Sequence, residues 1–286
     1  MKKRNVGHSG LRVSSLGLDT NSLVDEDSAT TNSIISAFVD AGGDLLDIAP
    51  GTEARVAQAV CSVGRDNVVL SASAGVDMSL PVGQRVNCSR SQLLRGLEQR
   101  LRDLGTDYLD VFHAGYWDPR TPPVEVAATL ESAVAAGKVR YAGAIGYSGW
   151  QLAVTPGLTV ARTEYSLLQR DAEEELLPAA NHLGIGVIAS SPLAGGVLTG
   201  HPVQGTPSTH PYESEKARTI VEALTTAADG LGLSPAATAL AWVCDQPEVA
   251  SVLVGPSSIS ELEQWLPAAE LTLPRAIVAA LDDVSK

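Results

Sequence analysis

Short apolar runs alternate with helical stretches from one end of the 286-residue chain to the other, and no other feature restricts its fold as much. The runs read as strands are Arg12–Leu18, Asp44–Ala49, Asn67–Ala74, Tyr108–Ala114, Val139–Ile145, Val160–Tyr165, Gly186–Ser190 and Ala250–Val254. Between and after them, helices are expected over Ser28–Ala41, Glu53–Val63, Ser89–Leu104, Pro123–Ala136, Asp171–Leu183, Glu213–Leu231, Ser234–Asp245 and Ser260–Leu266. Gly42-Gly43, Gly105 and Gly137 stand where helices should stop, and Ser89 where one should be capped. A helix between successive strands forces them to run parallel. Eight such units in a chain of this length match a closed (β/α)8 TIM barrel. A doubly wound sheet is the alternative, weakened because no G-x-G-x-x-G follows the first strand. No linker-like segment divides the chain, so residues 1–286 are expected to form one domain. The sparsest stretch, Gly200–Tyr212, reads as a surface loop.

Charge narrows the partners. With 33 acidic and 20 basic residues the formal net charge is −13, which repels phosphate backbones and anionic headgroups. Nucleic acid and membrane are therefore not expected as partners; a small molecule is. No apolar run approaches the roughly 18–20 residues of a membrane helix, and Arg4–Gly10 is polar where a signal peptide would be apolar. Cys61, Cys88 and Cys244 are widely spaced, odd in number, and form neither a metal motif nor a disulfide framework, so a cytoplasmic setting is expected.

In such a barrel the chemistry belongs at the C-terminal ends of the strands. That directs attention to Asp19, Asp47, Ser73, the stretch His113–Trp117, Ile145–Tyr147, Arg162–Tyr165, Ser190-Ser191 and Val254–Ser258.

Five ordered motifs then resemble the aldo-keto reductases. Gly7-His-Ser-Gly-Leu-Arg-Val-Ser-Ser-Leu-Gly-Leu18 is similar to that family's N-terminal β-hairpin and first strand. Leu104-Gly-Thr-Asp-Tyr-Leu-Asp110 resembles L-G-T-D-Y-I-D, and Ala136-Gly-Lys-Val-Arg-Tyr-Ala-Gly143 resembles A-G-K-V-R-Y-I-G. Glu164-Tyr-Ser-Leu-Leu-Gln-Arg170 resembles E-Y-N-L-L-x-R, and Ser191-Pro-Leu-Ala-Gly-Gly-Val-Leu-Thr-Gly200 resembles S-P-L-A-x-G-x-L-T-G. The resemblance spans nearly the whole chain and implies a barrel with a short N-terminal hairpin. It also implies NADPH-dependent carbonyl reduction by an Asp, Tyr, Lys and His tetrad.

The chain departs from that pattern. Asp47 matches the tetrad aspartate, but no tyrosine precedes Tyr108 and no lysine lies between Lys3 and Lys138. Ser73 stands at the lysine position and Gly115 at the histidine position. At the cofactor site, Ile145-Gly146 replace a Ser-Asn pair, Arg162 replaces a Gln, Ser190 an aromatic and Trp265 an Asn. These losses lead to the expectation of no cofactor, and of acid/base chemistry (dehydration, cyclisation, isomerisation or elimination) on a small molecule, an anionic one if Arg162 is its anchor. Asp47, Asp19, Arg162 and His113 are the expected catalytic group. Ser73, Gly115, Tyr116, Trp117, Tyr147 and Glu164 are the expected pocket. Replacement of large side chains by Ser73 and Gly115 is expected to enlarge the cavity, and Trp150 to help refill it. Two alternatives stand beside this: a non-catalytic binding or regulatory barrel, and an atypical NADP(H)-dependent oxidoreductase with substitute catalytic groups. In the latter, Ser191, Leu193, Gly195, Gly255 and Ser257 would hold the cofactor. His8, His182, His201 and His210 are assigned no role. Asp47→Asn and Arg162→Gln are expected to abolish turnover without lowering the melting temperature.

Overall fold

The computed structural model describes residues 1–200 and 214–286; His201, His210, Glu213 and the expected loop beyond Gly200 lie outside them. Strands β1 (Lys3–Asn5) and β2 (Arg12–Ser14) form an antiparallel hairpin. Eight parallel strands follow: β3 (Leu16–Asp19), β4 (Leu45–Ile48), β5 (Val69–Ala74), β6 (Leu109–Ala114), β7 (Val139–Ile145), β8 (Val160–Glu164), β9 (Gly186–Ser190) and β10 (Val249–Val254). They close into a barrel in chain order, β10 pairing with β3. The (β/α)8 barrel and the hairpin are both as read from the sequence.

Around the ring lie α1 (Ser28–Asp40), α2 (Glu53–Val63), α3 (Arg90–Leu104), α4 (Pro123–Ala135), α5 (Gly149–Val154), α6 (Leu176–Leu183), α7 (Glu215–Leu231), α8 (Pro235–Cys244), α9 (Ile259–Trp265) and α10 (Arg275–Ser285). Every residue of β4 and β10 is buried, because a parallel strand is covered by helices outside and by side chains inside. Helix α3 turns Leu93, Leu97, Leu101 and Leu104 to the core and ends at Gly105 in the left-handed conformation. Helix α1 is capped by Asp27, whose Oδ1 accepts from Thr30 N at 2.7 Å. Beyond it, a Cβ at Gly43 would lie 2.3 Å from the Phe38 ring, so the glycine permits the chain to turn under its own helix.

The apolar interior has two parts. The larger lies between strands and helices; the smaller fills the floor of the barrel with Val13, Leu45, Val111, Val160, Ile188 and Leu253. The hairpin seals that floor, Arg4 donating to the carbonyls of Cys244 and Val249 at 2.5 and 3.1 Å. Polar chemistry is left to the other end.

Two segments differ from expectation, and two helices are additional. Arg12–Leu18 is two strands, broken at Ser15, which leaves the hairpin for the barrel. Asp171–Leu183 is a single 3-10 turn and a later helix, because the ring of Pro178 forbids a helical carbonyl four residues earlier. Helices α5 and α10 were not anticipated. The latter packs against α7, and its Asp282 accepts from Trp242 Nε1 at 3.2 Å.

Candidate functional site

Register places the polar residues. Asp19 pairs with Asp47 across β3–β4, and Asp47 with Ser71 across β4–β5. Ser73 pairs with His113 across β5–β6. Alternation then turns Ser71 and Ser73 to the same face. Arg162 reaches across the mouth from β8.

Arg162 is the hub. One Nη forms a short ion pair with Asp47 Oδ2, and the other lies 3.7 Å from Asp19 Oδ2. Burial works against its charge, but the two carboxylates outweigh that and strengthen its hold on the proton. Two of its nitrogens are thus turned to carboxylates, while Nε is buried with no hydrogen-bond partner among the described residues. Asp47 is 4 % exposed; its Oδ1 accepts from Ser71 Oγ at 2.8 Å. Ser71 Oγ also lies 3.1 Å from His113 Nε2. Because the serine proton goes to Asp47, the network assigns the Nε2 proton to His113 as donor to Ser71. Burial pushes His113 down to about 4, against the opposing pull of Asp47. It is thus a neutral, positioning histidine.

Asp19 differs from Asp47. It is half-buried at the end of β3 and accepts from Asn21 N at 2.9 Å. Burial, then the charge of Asp47, raises its pKa above the ordinary carboxylate value, against the lowering effect of Arg162. The four expected catalytic residues do converge. Ser71, which links Asp47 to His113, was missed in favour of Ser73 two residues on.

Behind His113 the packing is tight. A Cβ at Gly143 would lie 2.3 Å from His113 Nδ1 and 3.0 Å from the Val160 carbonyl. Gly143→Ala is expected to cost about 1–3 kcal/mol, seen as a lower urea midpoint; an unchanged midpoint would show that the imidazole has room to move.

The expected pocket residues divide. Gly115 opens no space, since a Cβ there would meet Val76 Cγ2 at 2.5 Å and the Ala74 carbonyl at 3.0 Å. Ser73 is half-buried and accepts from Arg100 Nε at 3.3 Å through its carbonyl. Trp117 meets Tyr147 and Trp150 edge-on at 5.4 and 5.0 Å. Tyr147 is buried, which raises its phenol pKa. Tyr116 is 49 % exposed and lies over Gly146, where a Cβ would meet its ring at 2.4 Å. Glu164 is exposed at the end of β8.

Glu164, Ser191 and Gly195 share a groove of about 580 Å³ with Gln169, Ser214 and Lys216. Ser191 and Gly195 both have positive φ, 52° and 65°, which turns the chain sharply after β9. The N-terminus of α7 opens on this groove, and Ser214 Oγ accepts from Ala217 N at 3.0 Å. A helix start beside a lysine suits a phosphate group, and Gln169 adds an amide; both side chains would exchange exposed partners for the ligand, Lys216 Nζ the Lys286 carbonyl at 2.8 Å and Gln169 Nε2 the Asp171 carboxylate at 3.0 Å. The donor set therefore fits the phosphate portion of a nicotinamide dinucleotide. Of the other expected cofactor residues, Leu193 is buried in the core. Gly255 sits against Ser22, and both N and Oγ of Ser257 are bound by Glu261 Oε2 at 2.8 and 2.9 Å. Both lie after β10 and outside the groove.

Comparison with known proteins bears on the chemistry. The model of the aldo/keto reductase family matches residues 14–286. An uncharacterized oxidoreductase, YrpG, of Bacillus subtilis is 33 % identical over 98 % of this chain and 94 % of its own. The L-glyceraldehyde 3-phosphate reductase of Escherichia coli K12 is 31 % identical over 92 % of this chain and 86 % of its own. A probable voltage-gated potassium channel subunit beta of Arabidopsis thaliana is 28 % identical over the whole chain and 96 % of its own. The expectations of cofactor-independent acid/base chemistry and of no cofactor are overturned by these matches: a reductase family, and relatives named as oxidoreductase and reductase along almost the full length, imply redox chemistry with a nicotinamide cofactor. A non-catalytic barrel is no better supported. With its family model matched from the hairpin to the last residue, the chain belongs to the aldo/keto reductase family.

Proposed function

We propose that the chain is a nicotinamide-dependent oxidoreductase that reduces a small carbonyl compound at the barrel mouth, using substitute groups where the family's tyrosine and lysine are missing. The observation that carries this reading is the Asp19–Arg162–Asp47 cluster, in which two carboxylates face one guanidinium but differ in environment. Asp47 is tied by Arg162 and Ser71; Asp19 has the longer ion pair, the greater exposure and the raised pKa. Asp19 is the proton donor to the carbonyl oxygen. Arg162 steadies the charge that develops there, and Asp47, Ser71 and His113 position Arg162. Tyr116 offers an exposed ring at the rim.

Lys216, Gln169 and the start of α7 would hold the cofactor's phosphates and amide-bonding groups. When bound, a reduced nicotinamide supplies the electrons and hydrogen that the carbonyl carbon takes up. Residues 1–286 act as one domain in the cytoplasm, with a small aldehyde or ketone as partner and no nucleic acid or membrane. Among the described residues no helix is long and apolar enough to cross a membrane.

Fluorescence titration of the full chain with NADPH tests the reading. Saturable binding is expected in the range of ordinary enzyme substrates, roughly 1 μM–1 mM, and Lys216→Ala is expected to weaken it. No binding, or binding without NADPH oxidation across an aldehyde panel, overturns it.

A further inference from the structure

We propose that a second groove, outside the mouth between the end of β5 and α3, binds a phosphate group. It has a volume of about 600 Å³, and four arginines line it: Arg85, Arg95, Arg100 and Arg120. Three carboxylates share the groove, Glu53, Asp77 and Asp103, so the local balance is positive in a chain whose net charge is −13.

The carboxylates are engaged locally, while much of the cationic surface is free. Glu53 forms a close ion pair with Arg100 and accepts from Gly51 N at 2.7 Å. Asp77 accepts from Ser79 Oγ and N at 2.6 and 2.9 Å, and Asp103 from Gln99 Nε2 at 2.7 Å. Arg85, by contrast, uses only Nε among the described residues, on the Leu80 carbonyl at 2.8 Å. Arg120 donates to Asp118 and to the Val86 carbonyl. Arg95 is exposed and makes no hydrogen bond or ion pair among the described residues. Guanidinium forks left with free N–H groups around one groove suit a tetrahedral oxyanion, which can accept two parallel bonds from each.

The groove also touches the mouth. Arg100 holds the Ser73 carbonyl, pairs with Glu53 on the segment that follows Asp47, and feels the charge of Asp47. The phosphate could thus be carried by the carbonyl substrate or by a separate small molecule.

Calorimetric titration with inorganic pyrophosphate decides whether the groove binds. It is run on the full chain carrying Lys216→Ala, to silence the groove beside α7. Saturable binding is expected, weakened about tenfold or more by Arg85→Gln with Arg95→Gln. Arg95 supports no other residue, so Arg95→Gln alone guards against a folding artefact. No binding, or binding that both substitutions leave unchanged, overturns the proposal. Turnover separates the two sources. If the arginine substitutions raise KM for glyceraldehyde 3-phosphate but not for glyceraldehyde, the phosphate is the substrate's; if they raise neither while pyrophosphate binding falls, the ligand is separate. The calorimetric arm needs no catalysis, so its failure leaves the nicotinamide reading standing, and the reverse holds.

Discussion

Asp19→Asn is expected to lower kcat for carbonyl reduction by about 10²–10⁴-fold, the usual contribution of a placed general acid, while leaving the fold as stable or more stable at neutral pH. Both effects come from one cause. Burial and the nearby Asp47 charge raise the pKa of Asp19 above 3.8. A carboxyl with a higher pKa folded than unfolded binds its proton more tightly in the folded state. It contributes stability below pH 3.8 that is lost as pH rises through the raised value. The same protonated form is the one that serves as acid, so kcat falls over that window as pH rises. In the asparagine variant both slopes disappear. Kinetics and denaturation measured from pH 4 to 8 check this; an unchanged kcat, or a pH slope that survives the substitution, removes Asp19 from the reaction.

Arg162→Met is expected to be the most destabilising single change at the mouth. It strands Asp47, whose side chain is 6 % exposed, and Asp19 beside it. Breaking a buried pair by removing one partner costs about 3–5 kcal/mol, which lowers Tm on the order of 10 °C for a chain of this size. Adding Asp47→Asn should then restore part of the loss, because the stranded carboxylate is gone. Scanning calorimetry of the two variants is sufficient, and a melting temperature that does not move would mean that water already screens the cluster. The sequence alone suggested that these positions could be changed without loss of stability. Their depth reverses that expectation.

Architecture was legible because it rests on repetition. Eight apolar runs separated by helical stretches allow few arrangements, and the glycines at 42–43, 105 and 137 marked real helix ends. Asp19, Asp47 and Arg162 could be brought to one rim for the same reason, since Asp19 and Asp47 stand at or beside the last residue of their strands and Arg162 two residues before the end of β8. What could not be read was the register between strands and the depth of each side chain. Ser71 and Ser73 look alike in Val-Leu-Ser-Ala-Ser-Ala, and only pairing with Asp47 selects the first. Gly115 suggested a void because Val76, which fills it, comes from a loop that periodicity does not place. Arg100 and Glu53 sit on helices, and nothing in their spacing brings them to the end of β5. The chemistry was misjudged for a different reason. Read alone, the positions where a tyrosine, a lysine, a histidine and several cofactor contacts are expected point away from reduction, whereas relatives similar over nearly the full length are named an oxidoreductase and a reductase.

Closure of the ring by β10 against β3 has a consequence for how the chain is made. The two partners stand at opposite ends of the sequence, Val252–Val254 against Leu16–Leu18. A growing chain can lay down β3 to β9 in order, but until residue 254 has emerged it holds an incomplete sheet with two bare edges, each a row of unpaired N–H and C=O groups that can recruit another chain. Contacts this distant in sequence also form slowly. The barrel thus keeps its most adhesive surface until β10 is in place, and any chain cut short before β10 would keep it permanently.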